Sequence, residues 1–131
     1  ILLEMEEHRI YFSGDTAFHE ELFRQVGEAY QPEVAFMSIN GQFGNMTGEE
    51  GARAAELCGA RYGVPCHIWT FMEHRGDPYT FCKALENSES CKVRCFSQGE
   101  IQVLKSSNEL IEMKKEIIAY ESYPLYAAGS H

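Results

Sequence analysis

Two residues in this chain combine the right chemistry with the right position to bind a metal ion. Asp15 follows the strand-like run Arg9-Ile-Tyr-Phe-Ser-Gly-Asp-Thr16, and His67 closes the apolar run Arg61-Tyr-Gly-Val-Pro-Cys-His-Ile-Trp69. A carboxylate and an imidazole supply oxygen and nitrogen donors, a pair that suits Zn²⁺ and also Mn²⁺ or Fe²⁺. In open α/β sheets, ligands gather outside the carboxyl ends of the strands, so two parallel strands would bring Asp15 and His67 to one working edge. Two donors are fewer than a catalytic zinc needs, which is three protein ligands and an open position. Each residue also has an ordinary structural role available. Gly-Asp-Thr is common turn chemistry, and a histidine can simply close a strand. Apart from His8, the other internal histidines are His19, at the start of a helix, and His74, in a loop flanked by charge, and both sit where a solvent-facing side chain is expected.

The elements that would position this pair follow from the pattern of apolar residues. Positions 9–13 alternate and are rich in Ile, Tyr and Phe, which predicts a strand. Phe18, Leu22, Phe23 and Val26 recur at helical spacing and predict a helix over about 18–29, ended by Gln31-Pro32. Residues 33–39 are almost all apolar, as a strand covered on both faces should be. Asn40 to Met46 is a polar, glycine-containing loop, in which Asn40, Gln42 and Asn45 read equally as ordinary loop residues. Thr47-Gly-Glu-Glu50 is a capping box opening a helix with Ala52, Ala54, Ala55, Leu57 and Cys58 that should stop at Gly59. After the strand that ends at Cys66, a loop runs to Gly76. Asp77-Pro78 then starts a third helix, reaching about Asn87. Cys91–Phe96 and Ile101–Leu104 read as a terminal hairpin, and Leu110, Met113 and Ile117 predict a last helix over about 107–120. The order β-α-β-α-β-α-β-β-α implies a layered α/β domain.

Composition limits the possible partners. The chain has 131 residues and a formal net charge of −9, from 20 acidic against 11 basic residues. That balance disfavours nucleic acid and anionic membrane surfaces, and no apolar run approaches the roughly 20 residues of a membrane span. Cys58, Cys66, Cys82, Cys91 and Cys95 are an odd set, which favours reduced thiols and a cytoplasmic location. On a strand, Cys91 and Cys95 would face the same side. The chain opens at Ile1 rather than at a methionine, as a piece of a longer protein would, and Gly129-Ser-His131 reads as an added tail.

Taken in order, Tyr-Phe-Ser-Gly-Asp-Thr16, Ser-Ile-Asn-Gly41, Gly-Asn-Met46, Val-Pro-Cys-His67, Gly-Asp-Pro78 and Phe-Ser-Gln-Gly-Glu100 resemble the C-terminal half of the metallo-β-lactamase fold. Within that fold they resemble the L-ascorbate-6-phosphate lactonase-like hydrolases. The resemblance covers about residues 9–104. It implies half of an αββα sandwich, taken over residues 1–106; the segment after Leu104 lies beyond the match, and residues 107–131 read from their own spacing as a C-terminal helix and tail. It also implies a two-metal site in which Asp15 is the bridging carboxylate and His67 the last histidine of the second metal position. The loop carrying Asn40, Gln42 and Asn45 would line the substrate pocket, and Arg75 and Asn45 are candidates to meet a phosphate. The implied chemistry is hydrolysis of a lactone or related ester, such as a phosphorylated sugar acid, by a metal-activated hydroxide. The family's His-x-His-x-Asp-His signature is absent, so the site would need an N-terminal half from the same gene or from another copy. The alternative expectation is a non-catalytic α/β binding or assembly module, since a half-sandwich leaves a sheet face exposed.

Overall fold

The computed structural model describes residues 1–68, 76–105 and 110–112. Five strands form the main sheet in the order β1-β2-β3-β4-β5: Leu2–Met5, His8–Phe12, Val34–Ser38, Tyr62–Cys66 and Lys92–Val93. β1 lies antiparallel to β2, and every later pairing is parallel. The parallel pairings are those a β-α-β order requires, since each return passes through a helix: α1 (Glu20–Tyr30), α2 (Gly48–Leu57) and α3 (Pro78–Leu85). The fold is α/β, as the sequence predicts.

The helix boundaries have local causes. The Thr47 hydroxyl accepts the Glu50 N–H while the Glu50 carboxylate accepts the Thr47 N–H, so both halves of the expected capping box are formed. Asp77 accepts the Tyr79 N–H at 2.9 Å and Pro78 follows at the first helical position. α1 ends at Gln31 in a left-handed conformation, its N–H bonded to the Gly27 carbonyl.

The helices cover one face of the sheet. Ala35, Met37 and Ile39 of the β3 region pack with Phe23, Ala52, Ala55, Phe81 and Leu85 in the main core. Small residues set how close the layers come. A Cβ on Gly51 would lie 2.4 Å from Ile39 Cγ2, and one on Gly27 would lie 2.7 Å from the Leu57 carbonyl oxygen. On the opposite face Val34, Tyr62 and Val64 form a second cluster with Ile10, Phe36 and Leu104. Phe12 stacks on Phe36 at 4.8 Å, and Phe96 meets Phe36 in a tilted contact at 5.8 Å. A groove of about 410 Å³ runs there between the sheet and residues 102–104, lined by His8, Ile10, Phe36, Phe96 and Leu104 among others.

The C-terminal elements differ from the sequence expectation. Lys92–Val93 joins the main sheet beside β4. β6 (Gln102–Leu104) pairs instead with β7 (Leu110–Glu112), in a separate antiparallel ribbon. The predicted hairpin between 91–96 and 101–104 is therefore not made, and residues 110–112 are strand where the periodicity predicts helix. Ladder pairing with β6 overrides a weak 3.6-residue pattern. The rest of the expected 107–120 helix lies outside the described residues. Cys91 and Cys95 do not share a strand face either: Cys91 is buried and Cys95 exposed, because the strand ends at Val93. β1 was not predicted; its four residues are mostly exposed and carry no clear alternation.

Candidate metal-ligand site at the strand ends

Three consecutive parallel strands, β2, β3 and β4, end at the same edge. Ser13 continues the ladder with its N–H bonded to the Phe36 carbonyl, and its hydroxyl accepts the Ser38 N–H at 3.0 Å. Gly14 then takes φ +62° and turns the chain outward, placing Asp15 in solvent reach. The Ile39 N–H bonds to the Cys66 carbonyl, so the ends of β3 and β4 are fixed to each other just before Asn40 and His67. His67 itself adopts φ +55°, an uncommon conformation for a residue with a side chain.

This arrangement brings Asp15 and His67 together across the end of β3. Asp15 Oδ1 lies 2.7 Å from His67 Nδ1, although the residues are 52 apart in sequence. Asn40 Nδ2 approaches the same ring nitrogen at 3.4 Å. One nitrogen cannot serve both partners. A protonated Nδ1 donates to the carboxylate and cannot accept the Asn40 amide, whereas a bare Nδ1 would set its lone pair against Asp15. The shorter contact therefore assigns the proton to Nδ1, in a charge-assisted bond to Asp15. Asn40 is 1% exposed, and its Oδ1 accepts the Gln42 N–H at 3.2 Å, which fixes the amide orientation.

The loop after β3 is held by its own backbone. The Gly41 N–H bonds to the Met46 carbonyl, Asn45 N–H to the Gln42 carbonyl, and Met46 N–H to the Thr16 carbonyl next to Asp15. The structure thus gathers Asp15, Asn40 and His67 at one point, while Gln42 and Asn45 enter through backbone bonds and lie half-buried on the loop. Arg75 and His74 lie outside the described residues. His19 is exposed at the start of α1, as expected. Asn40 as the neighbour of the His67 ring is the feature that sequence reasoning missed. The available signal was a polar residue set just past a buried strand whose parallel neighbour ends in histidine.

By donor type, Asp15 and His67 fit a divalent cation, one hard oxygen and one borderline nitrogen. By number they are half of a site. Among the described residues no group of three His, Cys, Asp or Glu side chains gathers to hold a metal. Cys66 stands nearby with its Sγ 3.8 Å from Ser38 Oγ; burial pushes its thiol up, the Ser38 contact partly opposes this, and the Asp15 charge adds a lesser upward push. It is a poor thiolate donor at neutral pH.

No family model matches the chain. In sequence it is 34% identical over 98 residues to a UPF0173 metal-dependent hydrolase of Methanospirillum hungatei, an alignment covering 75% of this chain and 44% of that protein. It is 39% identical over 93 residues to one from Methanosarcina mazei, covering 71% and 40%. In structure it matches Igni18, a metallo hydrolase of Ignicoccus hospitalis, with a TM-score of 0.64 and 26% identity over 86% of this chain and 44% of that one. YhfI of Bacillus subtilis, described as a metallo-β-lactamase fold protein, matches with a TM-score of 0.58 at 17% identity, over 86% of this chain and 43% of that one. The chain carries one half of the metallo-β-lactamase fold. This half-fold spans less than half the length of the curated relatives it matches, 44% and 40% for the two above. Those relatives are metal-dependent hydrolases by description.

Proposed function

We propose that this chain is the ligand-bearing C-terminal half of a metal-dependent hydrolase, with Asp15 and His67 as its contribution to the metal centre. The observation that carries the reading is the 2.7 Å approach of these two donors at the carboxyl edge of a parallel sheet. It is supported by the UPF0173 metal-dependent hydrolases to which the sequence aligns. A divalent metal bound there, zinc or manganese and two ions in the completed site, would lower the pKa of water towards neutrality and polarise a substrate carbonyl.

The residues of this chain have separate tasks in that scheme. The Asp15 carboxylate, half-exposed on its turn, supplies the oxygen donor. The His67 ring supplies the nitrogen donor, with Asn40 packed against its Nδ1 edge to limit rotation. Gln42 and Asn45 line the approach from the 40–46 loop, and Arg75 is the candidate partner for an anionic substrate group. The proposed substrate is a lactone or related ester, with a phosphorylated sugar acid as the specific candidate, in the cytoplasm. The remaining ligands come from an N-terminal half packed on the Val34, Phe36 and Val64 face of the sheet, whose apolar groove suits such a layer.

That open face also favours a second reading, a non-catalytic assembly module. One experiment separates the two. In the full-length protein carrying this chain, Asp15→Ala and His67→Ala should each strip metal, measured by elemental analysis, and abolish turnover of a lactone and ester panel. Full metal content and full turnover in both variants would overturn the hydrolase reading.

A further inference from the structure

Of the five cysteines, two stand apart from the core. Cys82 of α3 and Cys95, just beyond β5, bring their sulfurs to 3.6 Å across 13 residues of chain. Cys95 is exposed and Cys82 half-buried, whereas Cys58 and Cys91 are fully buried and Cys66 is tied to Ser38. A disulfide needs its sulfurs at about 2.05 Å, so side-chain rotation over a short distance would close this pair. We propose that Cys82 and Cys95 form a reversible redox clasp that responds to low-molecular-weight disulfides. The clasp does not depend on the hydrolase reading.

The position of Cys95 gives the clasp something to hold. Its neighbour Arg94 bonds through its N–H to the Gly63 carbonyl of β4 in the main sheet. Its other neighbour, Phe96, lies against Phe36 on the opposite face. The Cys95 carbonyl also accepts the Gln102 side-chain amide at 3.2 Å, linking it to β6. The chain therefore crosses from one face of the sheet to the other at Cys95, and a bond to α3 fixes that crossing.

The chemistry balances with the small disulfide as oxidant. The Cys95 thiolate attacks one sulfur of the small disulfide, forming a mixed disulfide and releasing one small thiol. Cys82 then attacks the Cys95 sulfur and releases the second small thiol. Two protein thiols are oxidised, one small disulfide is reduced, and the two protons lost by the protein end on the released thiols. Burial, the hydrogen bond shared with Cys82 and the charge of Glu100 push the Cys95 thiol up to about 11. The Cys95 thiol is therefore largely protonated at neutral pH, so closure is slow there and quickens as pH rises. Lys83 and Lys92 line the recess beside Cys82, and Lys83 is paired with Glu86 at 2.5 Å.

The test uses the full-length protein carrying this chain, exposed to oxidised glutathione and then to a phosphine reductant. Peptide mapping should find one crosslink, Cys82 to Cys95, with loss of two hydrogen atoms and full reversal on reduction. Closure should speed up roughly tenfold per pH unit between about 7 and 9. The oxidised form should melt roughly 5–10 °C higher than the reduced form. Cys82→Ser should instead trap glutathione on Cys95, and Cys95→Ser should form no crosslink. A stable glutathione adduct on Cys95 in the unaltered protein, or a crosslink distributed over other cysteines, would overturn the proposal.

Discussion

Replacing Asn40 with alanine tests whether this residue holds the loop or holds the imidazole. Its side chain is 1% exposed and makes two contacts of different quality: Oδ1 to the Gln42 N–H at 3.2 Å and Nδ2 to His67 Nδ1 at 3.4 Å. The second contact is long and competes with Asp15 for one nitrogen, so it should contribute no more than about 0.5 kcal/mol. Loss of the first leaves a half-buried amide without its acceptor, at about 1 kcal/mol, and the space vacated by the amide group adds about another 1 kcal/mol. The expected loss for Asn40→Ala is therefore about 2 kcal/mol, most of it independent of His67. Urea denaturation of the full-length protein, Asn40→Ala, His67→Ala and the double variant closes a thermodynamic cycle that separates the two contacts. The expected coupling is under about 0.5 kcal/mol. A coupling above about 1.5 kcal/mol would refute the assignment of the Nδ1 proton to Asp15, because it would make Asn40 the dominant partner of the ring.

Two further predictions concern the layers behind the site. Gly27→Ala should destabilise by about 1–3 kcal/mol despite alanine's better helix propensity, because the new Cβ would meet the Leu57 oxygen at 2.7 Å and Cys58 backbone atoms at 2.9 Å, which cannot swing aside. An unchanged or raised Tm would show that α1 and α2 can separate without loss. Burial pushes the Cys58 and Cys91 thiols from 9 up to about 12, with the charges of Cys91 and Glu56 respectively adding to it. The folded state therefore holds these protons more tightly, so their contribution is complete below pH 9 and is lost as pH climbs from 9 towards 12. The urea midpoint should fall across that window more steeply than in a Cys58→Ala/Cys91→Ala variant; parallel slopes would remove the thiols from the explanation.

Much of the fold was legible because its signals are local. The Thr47 capping box, the Asp77-Pro78 start and the continuous apolar runs of β3 and β4 each have a cause within a few residues, and each appears where expected. The C-terminal part was not legible. Whether Lys92–Val93 pairs with β4 or with residues 101–104 depends on which edge is free in space, and a chain read in order does not contain that. The same applies to β1, whose register with β2 fixes it more than its own composition does. At the site, Asp15 and His67 could be proposed from strand ends, and the structure brings them together. The neighbour at Asn40 could not, because its contact to the ring spans 27 residues and depends on the stagger between β3 and β4. Arg75 lies outside the described residues.

The left-handed turn at His67 has a consequence for how this position can drift over generations. Most residues pay about 1–2 kcal/mol to adopt that backbone shape, whereas glycine, and to a lesser degree asparagine and aspartate, adopt it with little penalty. Random mutation should therefore find His67→Gly or His67→Asn gentle on folding, and His67→Val or His67→Ile harsh. A lineage released from the need for an imidazole here would be expected to slide towards the small or amide-bearing residues first. A histidine retained against that slope marks selection on the ring itself rather than on the turn.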